Sequence, residues 1–210
     1  MIQDPQQRLE ALRRAHRREL LRIGAAEVLG SKLVVQTGQE LADLADVVLE
    51  TALDIVWERL VRRYGRPRDE RGRPAHFCVV CLGKHGGQEL NYNSDIDLLF
   101  ANDEDGRAGP VSNNEFFNRL GEALIQALTE VTAEGSLYRV DMRLRVVHAQ
   151  PLLGGFTVEW VNSTNDISPG ILTPRTQPIL RELDKKQFSL GKEETYTTDW
   201  QVVSMSGLGP

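Results

Sequence analysis

Apolar residues recur at helical intervals through the first third of the chain. From Gln6 to about Ile23, Leu9, Leu12, Leu20 and Ile23 share one side of a helix, which Gly24 and Gly30 are expected to interrupt. A second helix is expected behind a capping box of Thr37 and Glu40, with Leu41, Leu44, Val48, Ala52, Ile55 and Leu60 on its apolar face. The run YGRPRDERGRP, between Tyr64 and Pro74, reads as a loop. After it the pattern predicts a strand over 76–82, a Gly-rich turn over 83–87, a strand over 95–101 and a turn from Asn102 to Pro110. Ser112 and Glu115 then cap a helix running to about Thr132, with Phe116, Leu120, Ala123, Leu124, Ala127 and Leu128 as its buried stripe. In LYRVDMRLRV the alternation is strict. Tyr138, Val140, Met142 and Leu144 lie on one face of a strand, and Arg139, Asp141, Arg143 and Arg145 on the other.

Beyond Val147 neither period is sustained, and residues 148–178 are rich in Pro, Thr, Ser, Asn and Gly. The expected organisation is a helical arm (1–63), a compact α+β unit (76–147) and a divergent tail (148–210) for which disorder is the expectation. That tail is expected to be dispensable for the function of the α+β unit.

Composition narrows the class. A chain with 40% hydrophobic and 26% charged residues is of globular type, and no apolar run reaches the length of about 18 residues that a membrane-spanning helix needs. The charged N-terminus lacks the apolar core of a secretion signal, so a cytoplasmic location away from membranes is expected. A net charge of −5 argues against general affinity for duplex nucleic acid. The early basic cluster of Arg13, Arg14, Arg17, Arg18 and Arg22 reads as the solvated face of a helix. Cys78 and Cys81 form a C-x-x-C, but residues three apart in a strand point to opposite faces and no second cysteine pair exists. Both are read as core thiols.

The chemistry concentrates in LGKHGGQELNYNSDIDLLF, residues 82–100. Gly86 and Gly87 let backbone approach a ligand with no Cβ in the way, and consecutive N–H groups in such a turn can form an anion-binding concavity. Lys84, in the same turn, is counted with the candidate nucleotide contacts; G-K-H is not a P-loop, because no Ser or Thr follows the lysine. Asp95 and Asp97, two apart on a strand, present both carboxylates on one face, while Ile96, Leu98 and Phe100 point into a core. Paired carboxylates repel unless a cation sits between them, and magnesium favours one or two carboxylates plus phosphate oxygens. Asp141, on the polar face of the alternating strand, offers a third carboxylate for in-line displacement at phosphorus. Arg139, Arg143 and Arg145 share its face; one or two could neutralise a triphosphate, with a salt-bridged sheet face as the alternative.

The runs LGKHGGQELNYNSDIDLLF and TAEGSLYRVDMRLR resemble the glutamine synthetase adenylyltransferase/adenylyl-removing family. ALRRAHRRELLRIG, the helix at 40–62 and NNEFFNRLGEALIQALTE also resemble it in order and spacing, over roughly residues 8–146. The resemblance implies a DNA-polymerase-β-like nucleotidyltransferase core preceded by a helical arm. It implies Asp95, Asp97 and Asp141 as the catalytic, metal-holding carboxylates, with Gly86, Gly87 and Ser94 lining the nucleotide phosphates. Lys84, Arg143 and Arg145 complete the candidate nucleotide-binding set.

Members carry two such halves, one adding AMP to a tyrosine of glutamine synthetase and one removing it with phosphate to yield ADP. The wording here is closer to the removing half, and one copy of the motif is present. The implied cofactor is Mg²⁺, with ATP or ADP as the nucleotide. The implied partners are glutamine synthetase and a nitrogen-signalling regulatory protein. Two alternatives stay open: a fragment that binds nucleotide or glutamine synthetase without turnover, and adenylyl transfer to a different acceptor. His85 stands where the family usually has an apolar residue, and after RLR the resemblance ends at VVHAQPLLGGF.

Overall fold

A computed structural model describes residues 4–102, 106–141, 147–148, 150–152, 155–157, 171–174 and 197–206. Helix α1 (Pro5–Val28) starts where expected: the Asp4 carboxylate accepts from the Gln6 N–H, and Pro5 sits in the first turn. Gly24 does not interrupt it. A Cβ at Gly24 would lie 3.6 Å from the Tyr92 hydroxyl, so the glycine gives Tyr92 room against the helix, and Tyr92 donates to Glu27 (2.7 Å). The helix ends before Gly30, at φ +70°.

The second start signal was misplaced. Helix α2 (Val34–Tyr64) begins after Leu33, whose N–H donates to the Gln36 side chain (3.1 Å). Thr37 is buried inside the first turns, and Glu40 pairs with Lys32 and Arg22 across the helical hairpin. Leu41, Ala45, Val48, Ala52, Ile55 and Leu60 are buried along one face.

The basic cluster on α1 divides. Arg14, Arg17, Arg18 and Arg22 are exposed as expected, but Arg13 is fully buried. It lies on the same stripe as Leu9, His16 and Ile23 and reaches the C-terminal end of helix α4 (Asn113–Thr129). There Nη2 donates to the Ala127 carbonyl (3.2 Å) and the Glu130 carboxylate (3.1 Å), a site where helix carbonyls lack intrahelical partners. Nε and Nη1 have no hydrogen-bond partner among the described residues. A buried charge so thinly paired contributes little net stability. Arg13→Met is expected to unfold in denaturant within about 1 kcal/mol of the parent, or to be more stable. A loss of about 3 kcal/mol or more would show that the guanidinium is a net stabiliser.

The sheet builds outward from two strands. β2 (Phe77–Leu82) runs antiparallel to β3 (Ile96–Asn102), with Phe77 opposite Asn102 and Leu82 opposite Asp97. α4 and the two-residue β6 (Val140–Asp141) follow β3, and β6 returns parallel to it, a crossover of strand, helix and strand. β7 (Val147–His148) pairs with the far end of β3. β11 (Thr197–Ser206) runs antiparallel along the other edge of β2, and β10 (Ile171–Pro174) lies parallel beyond it. β8 (Gln150–Leu152) and β9 (Gly155–Thr157) pair with each other. The two segments expected as loop and turn contribute a small second sheet: β1 (Arg68–Asp69) pairs with β4 (Gly106–Ala108), which pairs with β5 (Val111–Ser112). The architecture is α+β, as expected.

The core is an aromatic contact between layers. Phe77 stacks on Phe117 at 5.6 Å and tilts against Phe100 at 5.5 Å, and Phe116 meets Trp57 edge-on at 5.5 Å. These rings join α2, β2, β3 and α4. Ser112 caps α4 by accepting from the Glu115 N–H (3.1 Å), and the expected stripe on α4 is buried apart from the half-buried Ala123. One hydrophobic cluster runs from Leu9 on α1 to Leu137 before β6.

Candidate active site

The chain turns sharply at the end of β2. Gly83 has φ +59°, a region closed to most side chains, and opens the single helical turn α3 (Gly83–Gly86). The Gly83 carbonyl accepts from the Gly87 N–H (2.9 Å), the His85 carbonyl from Gln88 (3.0 Å) and the Lys84 carbonyl from Glu89 (2.8 Å). The Gly87 N–H is thus engaged within the turn. Gly86 and Gly87 are buried and Lys84 is exposed.

Asn91 to Ser94 form a second tight turn in which side chains stand in for backbone partners. The Asn91 side chain accepts from the Asn93 N–H (3.2 Å), and the Ser94 hydroxyl accepts from the Asn91 N–H (3.3 Å). This turn delivers Asp95 to the end of β3. Asp95 is 47% exposed and accepts from Arg139 Nε at 2.6 Å, while Arg139 Nη2 donates to the Asn93 carbonyl (2.7 Å). Ile96 N–H donates to the Arg139 carbonyl (3.0 Å), so the entries to β3 and β6 are laced together by backbone and side chain.

Asp97 lies within β3, on the face away from Ile96 and Leu98. Its carboxylate packs against the Gly83 backbone: a Cβ at Gly83 would come 2.6 Å from Oδ2. Across the sheet, Asp97 is in register with Asp141 of β6. The backbone therefore brings Asp95, Asp97 and Asp141 to one end of neighbouring strands, beside the Gly83–Gly87 turn. Arg143 and Arg145 lie outside the described residues, as do Met142 and Leu144. The alternating strand is described only at Val140–Asp141. Behind it the Tyr138 phenol is pushed above its ordinary range, first by burial and then by the Asp46 carboxylate.

Sequence reasoning missed one close neighbour of the aspartates. Gly83 is assigned from the sequence only to the Gly-rich turn, and the signal for its contact with Asp97 is a glycine directly between a strand and the K-H-G-G run. Arg139 belongs to a face read either as phosphate contacts or as salt-bridged, and here it is ion-paired with Asp95.

Residues 1–153 match the family model described as glutamate-ammonia ligase adenylyltransferase. The chain belongs to this family. A protein of Thioalkalivibrio sulfidiphilus, named bifunctional glutamine synthetase adenylyltransferase/adenylyl-removing enzyme, is 43% identical over 146 residues, covering 68% of this chain and 15% of its own length. The Pseudomonas putida protein of the same name is 38% identical over 157 residues, covering 71% of this chain and 16% of its own length. The chain thus spans about one sixth of the curated relatives it matches. The family match takes in both turns, all three aspartates and both long helices, and stops one residue after β8. Among the described residues no helix is long and apolar enough to cross a membrane.

Proposed function

We propose that the chain is a nucleotidyltransferase unit with a DNA-polymerase-β-like core, in which Asp95, Asp97 and Asp141 hold magnesium against the phosphates of a nucleotide. The observation that carries this reading is the register of Asp97 with Asp141, two residues after Asp95, in a member of an adenylyltransferase family. The donor types fit the ion: neighbouring strands lie about 4.7–4.9 Å apart, and aspartates in register on them suit a hard cation that keeps several waters and takes phosphate oxygens. Magnesium held there would polarise phosphoryl oxygens and offset the charge that develops in an in-line displacement.

The chain's own residues would position the reactants. The buried Gly86–Gly87 turn and Ser94 line the phosphates, and Lys84, Arg143 and Arg145 neutralise them. The reaction we assign is exchange of AMP on a tyrosine of glutamine synthetase, with consequences for nitrogen assimilation. In the removal direction a phosphate oxygen attacks the tyrosyl-AMP phosphorus, the bond to the tyrosine oxygen breaks, and ADP and free tyrosine result. Most of the rate gain would come from position and charge.

The test is turnover of adenylylated glutamine synthetase with phosphate and Mg²⁺, read as ADP released, and the reverse reaction with labelled ATP. Labelling of another acceptor in place of glutamine synthetase would move the assignment to that acceptor. Nucleotide binding with no turnover in either direction would leave a binding module.

Arg139 gives a second prediction. Its ion pair with Asp95 is exposed, so Arg139→Met is expected to change stability by less than about 1 kcal/mol. The guanidinium also competes with a metal for the Asp95 carboxylate. The half-saturating Mg²⁺ concentration is therefore expected to fall in the variant, measured by titrating turnover. A rise would mean that Arg139 holds Asp95 in its binding position.

A further inference from the structure

We propose that Asp46, Cys81 and His85 form a site for one thiophilic divalent cation of the zinc class, separate from the aspartate site. The three come from α2, β2 and α3, and their thiol sulfur, imidazole nitrogen and carboxylate oxygen all lie within 4.8 Å of one another. Ligands around a tetrahedral zinc, at bond lengths of about 2.0–2.3 Å, stand about 3–4 Å apart. Only a small inward shift separates this cluster from a coordination shell. His85 is 1% exposed and Cys81 fully buried, so neither ligand has to leave water to bind.

The independent sign is on His85. Its Nε2 stands 2.7 Å from the Asp46 carboxylate, while its buried Nδ1 has no hydrogen-bond partner among the described residues. Asp46 and His85 can share one ion only through Nε2, with the metal taking the place of the proton between them and Nδ1 keeping the ring's hydrogen. A thiolate and an imidazole together favour zinc over the hard magnesium ion. Cys81 is buried on the core face of β2, whereas Asp97 lies on the opposite face of β3, so the two sites lie on opposite sides of the sheet. Binding would release the Cys81 thiol proton to solvent and tie α2 to the turn that starts at Gly83. The C-x-x-C spacing plays no part: one of its thiols is used, with ligands from two other elements.

The test uses the full chain, stripped with a chelator and titrated with Zn²⁺ against a chromophoric competitor, then with Co²⁺. One ion per chain is expected, with a thiolate-to-cobalt charge-transfer band that excess Mg²⁺ does not remove. Cys81→Ser should lose the band, Cys78→Ser should keep it, and His85→Gln should weaken affinity on the order of 10-fold or more. Circular dichroism checks that each variant folds. Zn²⁺ should raise the Tm of the parent but not that of Cys81→Ser. Absence of stoichiometric binding by the folded parent, or binding unchanged in Cys81→Ser, would overturn the site.

Discussion

Asp97→Asn is expected to cut magnesium-dependent nucleotide turnover on the order of 100-fold or more while leaving the fold intact. Loss of weaker groups around a metal already costs about 10- to 100-fold, and a direct ligand should cost at least that. Asp97 is the central carboxylate of the three, two residues from Asp95 and in register with Asp141. Asparagine keeps the shape but removes the charge, so packing beside Gly83 is preserved. The measurements are turnover in excess Mg²⁺ and denaturant unfolding in its absence. Turnover at the parent rate would remove Asp97 from the site. A large drop in stability would mean that the carboxylate is structural.

Gly83→Ala should damage the same chemistry from the other side. At φ +59° an alanine is strained by about 1–2 kcal/mol. Its Cβ would also sit 2.6 Å from Asp97 Oδ2, closer than any real contact. The carboxylate is the end of a short side chain and can swing away, so the collision is relieved at the expense of its position. Displacing a reacting group by about 1 Å can cost on the order of 100-fold in rate. The expected result is therefore a small loss of stability and a large loss of turnover. An equal loss in both would show that the turn is merely strained. No loss in either would mean that the placement of Asp97 against Gly83 does not matter to the reaction.

The local signals in the sequence were read correctly where one period or one cap decided the outcome. Helix α4 has an unambiguous apolar stripe and a serine cap, β2 is a short apolar run, and β3 sets Ile96, Leu98 and Phe100 on one face. The failures share a cause. Thr37 with Glu40 matches a start signal as well as the true start does, and only the pairing of Glu40 with Lys32 and Arg22 reveals the difference. Gly24 looks like a stop because Tyr92, which packs on it, is far away in sequence. Arg13 looks solvated because the helix end that receives it is likewise distant. In the candidate site, alternation and spacing singled out the three aspartates that strand pairing brings to one end of the sheet. The contacts around them, Arg139 on Asp95 and Gly83 under Asp97, depend on strand pairing and a backbone angle that no local pattern records.

The order in which the chain is laid down matters for the acidic end of the sheet. β3 meets β2 through a short local connection, but β6 can reach β3 only after the whole of α4 has folded back across the sheet. Contacts with large sequence separation form late, because the loop they close must first lose its freedom. Asp97 and Asp141 are thus strangers through most of folding, and their mutual repulsion is postponed until the aromatic core beneath them has set. The same geometry runs in reverse: local opening of the β3–β6 pairing would separate Asp97 from Asp141 while β2, β3 and α2 stay folded. If the proposed site holds, its competence is expected to follow the stability of that one pairing, at a lower free energy than global unfolding.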